Sequence, residues 1–168
     1  MLSKITVARG EIQRLSTEAV LNAANTSLSH GAGICGDIFE AAGAVELAKA
    51  CSYIGGCKVG DAVAAPGFHL PAKWIIHAVG PRYKDGKQHE AELLRSTYKA
   101  ILRVADELRV ESIAIPAIST GIFCFPKDLA AEIAIDTLVN SNSQVQSIVL
   151  VGFTQEDADR YTAFLHSN

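Results

Sequence analysis

Nowhere does the 168-residue sequence approach the ~18 uninterrupted apolar residues that a membrane-spanning helix needs, so a membrane partner is not expected. Runs of like charge are also missing. The 15 Lys and Arg and 18 Asp and Glu are scattered, for a net charge of -3, so bulk attraction to duplex nucleic acid is not expected. Only four cysteines occur, Cys35, Cys51, Cys57 and Cys124. They form no C-x-x-C pair and have no His at zinc spacing, so no metal or cofactor is expected and the thiols should be free. There is no Pro/Gly/Ser linker, internal repeat or low-complexity tract, which argues for one domain over residues 1–168. The start, Met1-Leu2-Ser3-Lys4, runs straight into a strand pattern with no room for the apolar core of a signal peptide, so a cytosolic location is expected.

What is present is ordinary for a globular protein: 49% apolar residues and 20% charged. A chain of this length buries roughly 70% of its unfolded surface in a single core. Apolar or alternating runs bounded by turn residues predict strands at Ile5 to Ala8, Ala19 to Ala23, Asp61 to Ala65, Trp74 to Val79, Ser112 to Ile115 and Val145 to Val151. Spacings of three and four predict helices over Asp37 to Cys51, Glu90 to Leu108, Lys127 to Val139 and Glu156 to Leu165. From Trp74 onward strand and helix alternate. The expected fold is therefore α/β: a three-layer α/β/α sandwich around a mixed, largely parallel sheet of about six strands.

Two loops carry the chemistry. After Ala19 to Ala23 comes a polar segment, Asn25 to His30, then Gly31-Ala32-Gly33-Ile34-Cys35-Gly36 and a helix. Glycines expose N–H groups, and a helix start favours phosphate by about 0.3–1 kcal/mol, so a diphosphate is the natural ligand. Gly31, Gly33 and Gly36 also spell G-x-G-x-x-G, the dinucleotide fingerprint of an NAD-binding oxidoreductase. Against that reading, the intervening Asn25 to His30 separates the first glycine from its strand, and no acid-ended strand follows about 20 residues on. The second loop, Pro116-Ala117-Ile118-Ser119-Thr120-Gly121-Ile122-Phe123, leaves the end of another buried strand. Ligands of open α/β sheets bind at such strand ends.

The segments Leu21-Asn22-Ala23-Ala24-Asn25, Gly31-Ala32-Gly33-Ile34, Ile76-His77-Ala78-Val79-Gly80-Pro81 and Ile118-Ser119-Thr120-Gly121-Ile122-Phe123 resemble macro domains over essentially the whole chain. With Leu70-Pro71-Ala72-Lys73 the likeness is to the MacroD-type branch, which includes bacterial O-acetyl-ADP-ribose deacetylases. The resemblance implies an ADP-ribose pocket. In it Glu11 and Ile12 meet adenine, Gly31, Ala32, Gly33 and Ile34 face the diphosphate, and Ser119, Thr120, Gly121, Ile122 and Phe123 close the other side. Asn25 would orient the distal ribose, Phe123 would lie against it, and Phe153 would wall the adenine.

Three positions depart from the family pattern. Glu11 stands where Asp is common, Phe123 where Tyr is frequent, and Cys35 where MacroD-type enzymes place the Asp that positions the attacking water. Asp37 lies two residues further on, about 200° around a helix, and faces away. Some viral macro domains associated with hydrolysis resemble this chain in having Cys there. Asn25 and Cys35 are the catalytic candidates, with His30 or His77 as a base for a reactive thiol. The alternative readings are a small Cys35 that packs the loop and a satisfied core His77.

The expected ligands are ADP-ribose, O-acetyl-ADP-ribose and ADP-ribosylated proteins. The expected reaction is hydrolysis of ester-linked mono-ADP-ribose or deacetylation of O-acetyl-ADP-ribose. A non-catalytic reader of ADP-ribosylated proteins is the competing function.

Overall fold

A computed structural model describes residues 4–168, so the reading of Met1-Leu2-Ser3 lies outside the described residues. Six strands form one sheet in the order β1-β6-β5-β2-β4-β3: β1 Ile5–Arg9, β2 Ala19–Ala23, β3 Ala62–Pro66, β4 Trp74–Ala78, β5 Ser112–Pro116 and β6 Ser147–Gly152. All neighbours run parallel except β3, which is antiparallel to β4 at one edge. Five helices cover the sheet: α1 Gly33–Ala42, α2 Ala44–Ile54, α3 Glu90–Leu108, α4 Lys127–Val139 and α5 Gln155–His166. Among them no helix is long and apolar enough to cross a membrane.

The pleat sorts each strand's side chains into two cores. Leu21, Ile76, Ile113, Ile115 and Leu150 point into the layer of α3, α4 and α5, with Tyr98 and Phe125. Val20, Ile75, Ala114 and Val151 point into the layer of α1 and α2, with Ile38, Phe39 and Leu47. Burial on both faces is why the central strands read as continuous apolar runs.

The expected α/β/α sandwich is the observed one, and strand β2 and helices α3 and α4 have the expected bounds. One helix differs. The continuous run expected over Asp37 to Cys51 is two helices, because Gly43 takes φ 107° between them, and the first begins at Gly33 rather than Asp37. Gly33, Ile34 and Cys35 therefore form the first turn of α1. A 3-10 turn at Ile12–Arg14, with Ile12 buried, has no periodic signature because it is too short to show one.

Candidate functional site

Parallel strands leave their loops on one edge of the sheet. The loops after β1, β6, β5 and β2, which are neighbours in that order, carry Glu11, Phe153, Ser119 to Phe123, and Asn25 with Gly31 to Cys35. Topology thus brings these loop segments to one rim, although they span the chain from residue 11 to 153, while the candidate base His77 lies buried within β4.

At one end, Glu11 begins the 3-10 turn and its carboxylate holds Arg14 Nε at 2.6 Å. The acceptor expected for adenine thus already has a cation beside it. Phe153 follows β6 and is 65% exposed, an apolar surface left open at the rim. Behind it Thr154 caps α5 through a capping box with Asp157, which sets where the chain turns.

In the first loop, Asn25 is held by its own neighbours. Its Oδ1 accepts from Ser29 N at 2.9 Å and from Ser27 Oγ at 3.0 Å, and its Nδ2 donates to Ser29 O at 3.0 Å. A side chain tied this way has a defined direction before any ligand arrives. The third glycine of G-x-G-x-x-G has a local cause: a Cβ on Gly36 would lie 2.5 Å from Gly31 O, so the loop folds onto its own helix start.

Cys35 is 8% exposed and points beneath that loop. Asn22 Nδ2 donates to its Sγ at 3.6 Å, and Sγ lies 3.7 Å from Ser29 O. Neither histidine serves it as a base. His30 Nε2 is 2.9 Å from Glu40 Oε1, with its ring edge-on to Phe39. His77 Nδ1 accepts from Asn22 Nδ2 at 3.0 Å, which leaves the proton on Nε2, facing Cys51 Sγ at 3.6 Å. Burial pushes His77 down to about 4, so it is neutral at pH 7. Burial first, and then the neighbouring Cys35, push the Cys51 thiol up. Of the two readings of these residues the geometry matches the packing one, a small Cys35 beneath the loop and a satisfied core His77. They are joined in a buried chain, Cys35–Asn22–His77–Cys51, that packs α1 and α2 onto the sheet. Asp37 is exposed on the outer face of α1, away from this chain.

The second loop is held from below. Ser119 takes φ 66°, is 8% exposed, and its backbone O accepts from Phe125 N at 2.8 Å. Its Oγ and Asn22 Oδ1 are buried and have no hydrogen-bond partner among the described residues. Phe123 is braced from the loop after β4: its O accepts from Tyr83 N at 2.8 Å, and the Arg82 guanidinium lies 4.4 Å from its ring centre. Ile122, at the tip, is 81% exposed.

Sequence reasoning did not single out Asn22, Gly80, Arg82, Tyr83 or Glu90. Asn22 and Gly80 lay inside recognised motifs, but only the fold shows what they touch.

The glycine loop belongs to no dinucleotide fingerprint, because the strand order here differs from the 3-2-1-4-5-6 order of that fold. The Macro domain family matches residues 21–134. A Pantoea vagans protein called O-acetyl-ADP-ribose deacetylase 1 is 42% identical over 172 residues, covering 98% of this chain and 100% of that protein. An uncharacterised protein of Fusobacterium nucleatum is 50% identical over 136 residues, 80% of this chain and 77% of its own. A variant of the Oceanobacillus iheyensis macrodomain solved with ADPR matches with a TM-score of 0.92 at 32% identity, covering 97% of this chain and 92% of that one. The Trypanosoma brucei macrodomain in complex with ADP-ribose matches with a TM-score of 0.85 at 29% identity, covering 95% and 68%. Strand order, loop placement and these likenesses agree, and the chain belongs to the macro domain family.

Proposed function

We propose that this protein is a single macro domain that binds ADP-ribose across the rim described above and hydrolyses an ester at the distal ribose. Its substrates are mono-ADP-ribose esters of protein Asp and Glu, or O-acetyl-ADP-ribose. The observation that carries this reading is the convergence of four parallel strand ends on one edge, bearing Glu11, Phe153, Ser119 to Phe123, and Asn25 with Gly31 to Cys35. The deacetylase name of relatives that match along their whole length supports the hydrolytic half.

In this reading Glu11 and Ile12 meet adenine, with Phe153 against the ring. The N–H groups from Gly31 to Ile34, at the first turn of α1, and the Ser119 to Ile122 loop hold the diphosphate. Asn25 orients the distal ribose, and Phe123 lies on its apolar face. A water held by the ligand's own phosphate adds to the anomeric carbon as the carboxylate leaves with the bonding pair. In the acetyl ester it adds to the carbonyl carbon. The adduct collapses by breaking the bond to the ribose oxygen, which leaves with the bonding pair and takes a proton from the water, giving acetic acid and ADP-ribose. Positioning is the main catalytic effect. A cytosolic location goes with this chemistry and with free thiols.

The burial of Cys35, which offers no carboxylate to a water, favours a second reading: a reader that binds ADP-ribosylated proteins without turnover. One assay separates the two. Incubation with Glu-modified protein, and separately with O-acetyl-ADP-ribose, is expected to release product; tight binding with no release above background would leave only the reader. If calorimetry showed NAD bound more tightly than ADP-ribose, both readings would fall.

A further inference from the structure

Glu90 is the first residue of α3, and its side chain turns back from the helix instead of projecting to solvent; the residue is 1% exposed. Its Oε2 accepts from the backbone N–H of Lys84 at 2.9 Å, Asp85 at 3.1 Å and Gly86 at 3.0 Å. Its Oε1 accepts from Gln88 N at 2.6 Å. One carboxylate therefore organises the loop between β4 and α3, satisfying four N–H groups that have no sheet or helix partner. Charged hydrogen bonds of this kind are about twice as strong as neutral ones, so the loop has one preferred shape.

That loop does not end at Glu90. Just before the wrapped residues, Arg82 and Tyr83 grip Phe123: Tyr83 N donates to Phe123 O, the Arg82 guanidinium lies over the Phe123 ring, and the Tyr83 ring meets Phe125 edge-on at 5.0 Å. A continuous set of contacts thus runs from a buried acid outside the site to the aromatic ring that, on the ADP-ribose reading, lies on the distal ribose.

We propose that Glu90 is a positioning residue for the distal-ribose subsite, acting through the Lys84 to Gln88 loop to hold Arg82, Tyr83 and Phe123 where the second sugar is gripped. The inference rests on the ADP-ribose reading but is separable from it, because ADP fills the adenine and diphosphate regions and lacks the distal ribose.

The test compares calorimetric affinities for ADP-ribose and ADP in the wild type, Glu90→Gln, Arg82→Ala, Phe123→Ala and the Glu90→Gln/Phe123→Ala double variant, with thermal melting of each. Glu90→Gln keeps the shape but turns an NH2 group toward N–H donors. It is expected to weaken ADP-ribose about tenfold and ADP less than about twofold, a loss of roughly five- to tenfold, or about 1–1.4 kcal/mol, in selectivity for the distal sugar. In the double variant the loss should be no larger than in Phe123→Ala alone, the non-additivity expected of residues that act as one unit. Equal weakening of both ligands by Glu90→Gln, or additive losses in the double variant, would overturn the proposal. Should Glu90→Gln fail to fold, exposed Arg82→Ala decides: selective loss of ADP-ribose supports the linkage, and unchanged selectivity overturns it. A wild type that binds neither ligand would instead refute the ADP-ribose reading itself.

Discussion

Gly80 and Ser119 face each other so closely that a Cβ on Gly80 would lie 2.2 Å from Ser119 Oγ and 2.5 Å from Ile118 Cγ2. The segment just after β4 is thereby the floor on which Ile118 and Ser119 rest. Gly80→Ala must displace the Ser119 and Ile118 side chains on which the Ser119 to Phe123 loop is set, and overpacking of this kind costs about 1–3 kcal/mol. Urea denaturation should show that loss, and ADP-ribose affinity should fall with it. Wild-type stability in the variant would mean that the loop has room to move.

Asn25 and Cys35 should separate sharply on mutation. Asn25 stands on the rim with its amide fixed by Ser27 and Ser29, whereas Cys35 lies beneath the loop. Asn25→Ala is expected to lower kcat on O-acetyl-ADP-ribose by about 100-fold, since a lost positioning group is felt mainly in turnover. Cys35→Ala should stay within about threefold in kcat and lose about 1 kcal/mol of stability as a small buried group is removed. A collapse of kcat in Cys35→Ala with normal stability would return the thiol to the chemistry.

If Glu11 meets adenine as proposed, its pairing with Arg14 makes that recognition a shared task. Both side chains are well exposed, so the pair itself contributes little to stability, up to about 1 kcal/mol. Glu11→Ala should weaken ADP-ribose by roughly tenfold or more, the scale of a charged hydrogen bond. Arg14→Ala, which frees the carboxylate, should leave affinity unchanged or slightly improved. The same calorimetric titrations check both, and a loss in Arg14→Ala as large as in Glu11→Ala would give the base contact to the cation.

Acid should destabilise the fold in two steps of the same sign. Burial lowers His77 from 6.5 to about 4, so the unfolded chain binds the extra proton first. Its contribution is complete above pH 6.5 and falls away as pH drops toward 4, by about 3 kcal/mol in total. For Glu90, burial raises the pKa but the N–H groups of Lys84, Gly86 and Gln88 outweigh it and bring it to about 2. The stability this carboxylate adds is present above 4.5 and is lost as pH falls through about 2. Denaturation between pH 7 and 4 should show the first slope in the wild type and not in His77→Gln. An unchanged slope in that variant would place the titrating group elsewhere.

Much of this protein could be read locally. The bounds of α3 follow from apolar residues three and four apart, and those of β2 from an apolar run ending in polar loop residues. Both are patterns that neighbouring residues impose on one another. The helix break at Gly43 escaped because an apolar stripe continues across it from Phe39 to Leu47, and only the backbone at φ 107° separates the two helices.

The amino-acid sequence by itself determined the layered α/β architecture, the two polar loops and the family resemblance. Periodicity and loop composition are short-range properties, and they are written where they act. Only the tertiary structure decided what the individual side chains do. It turned Cys35 from a candidate nucleophile into a link in a buried chain with Asn22, His77 and Cys51. It paired Glu11 with Arg14, and it set Gly80 beneath Ser119 and Glu90 behind Phe123's support. Most of these contacts join residues far apart in the chain. Their geometry depends on which strands lie side by side, and no local pattern encodes that order.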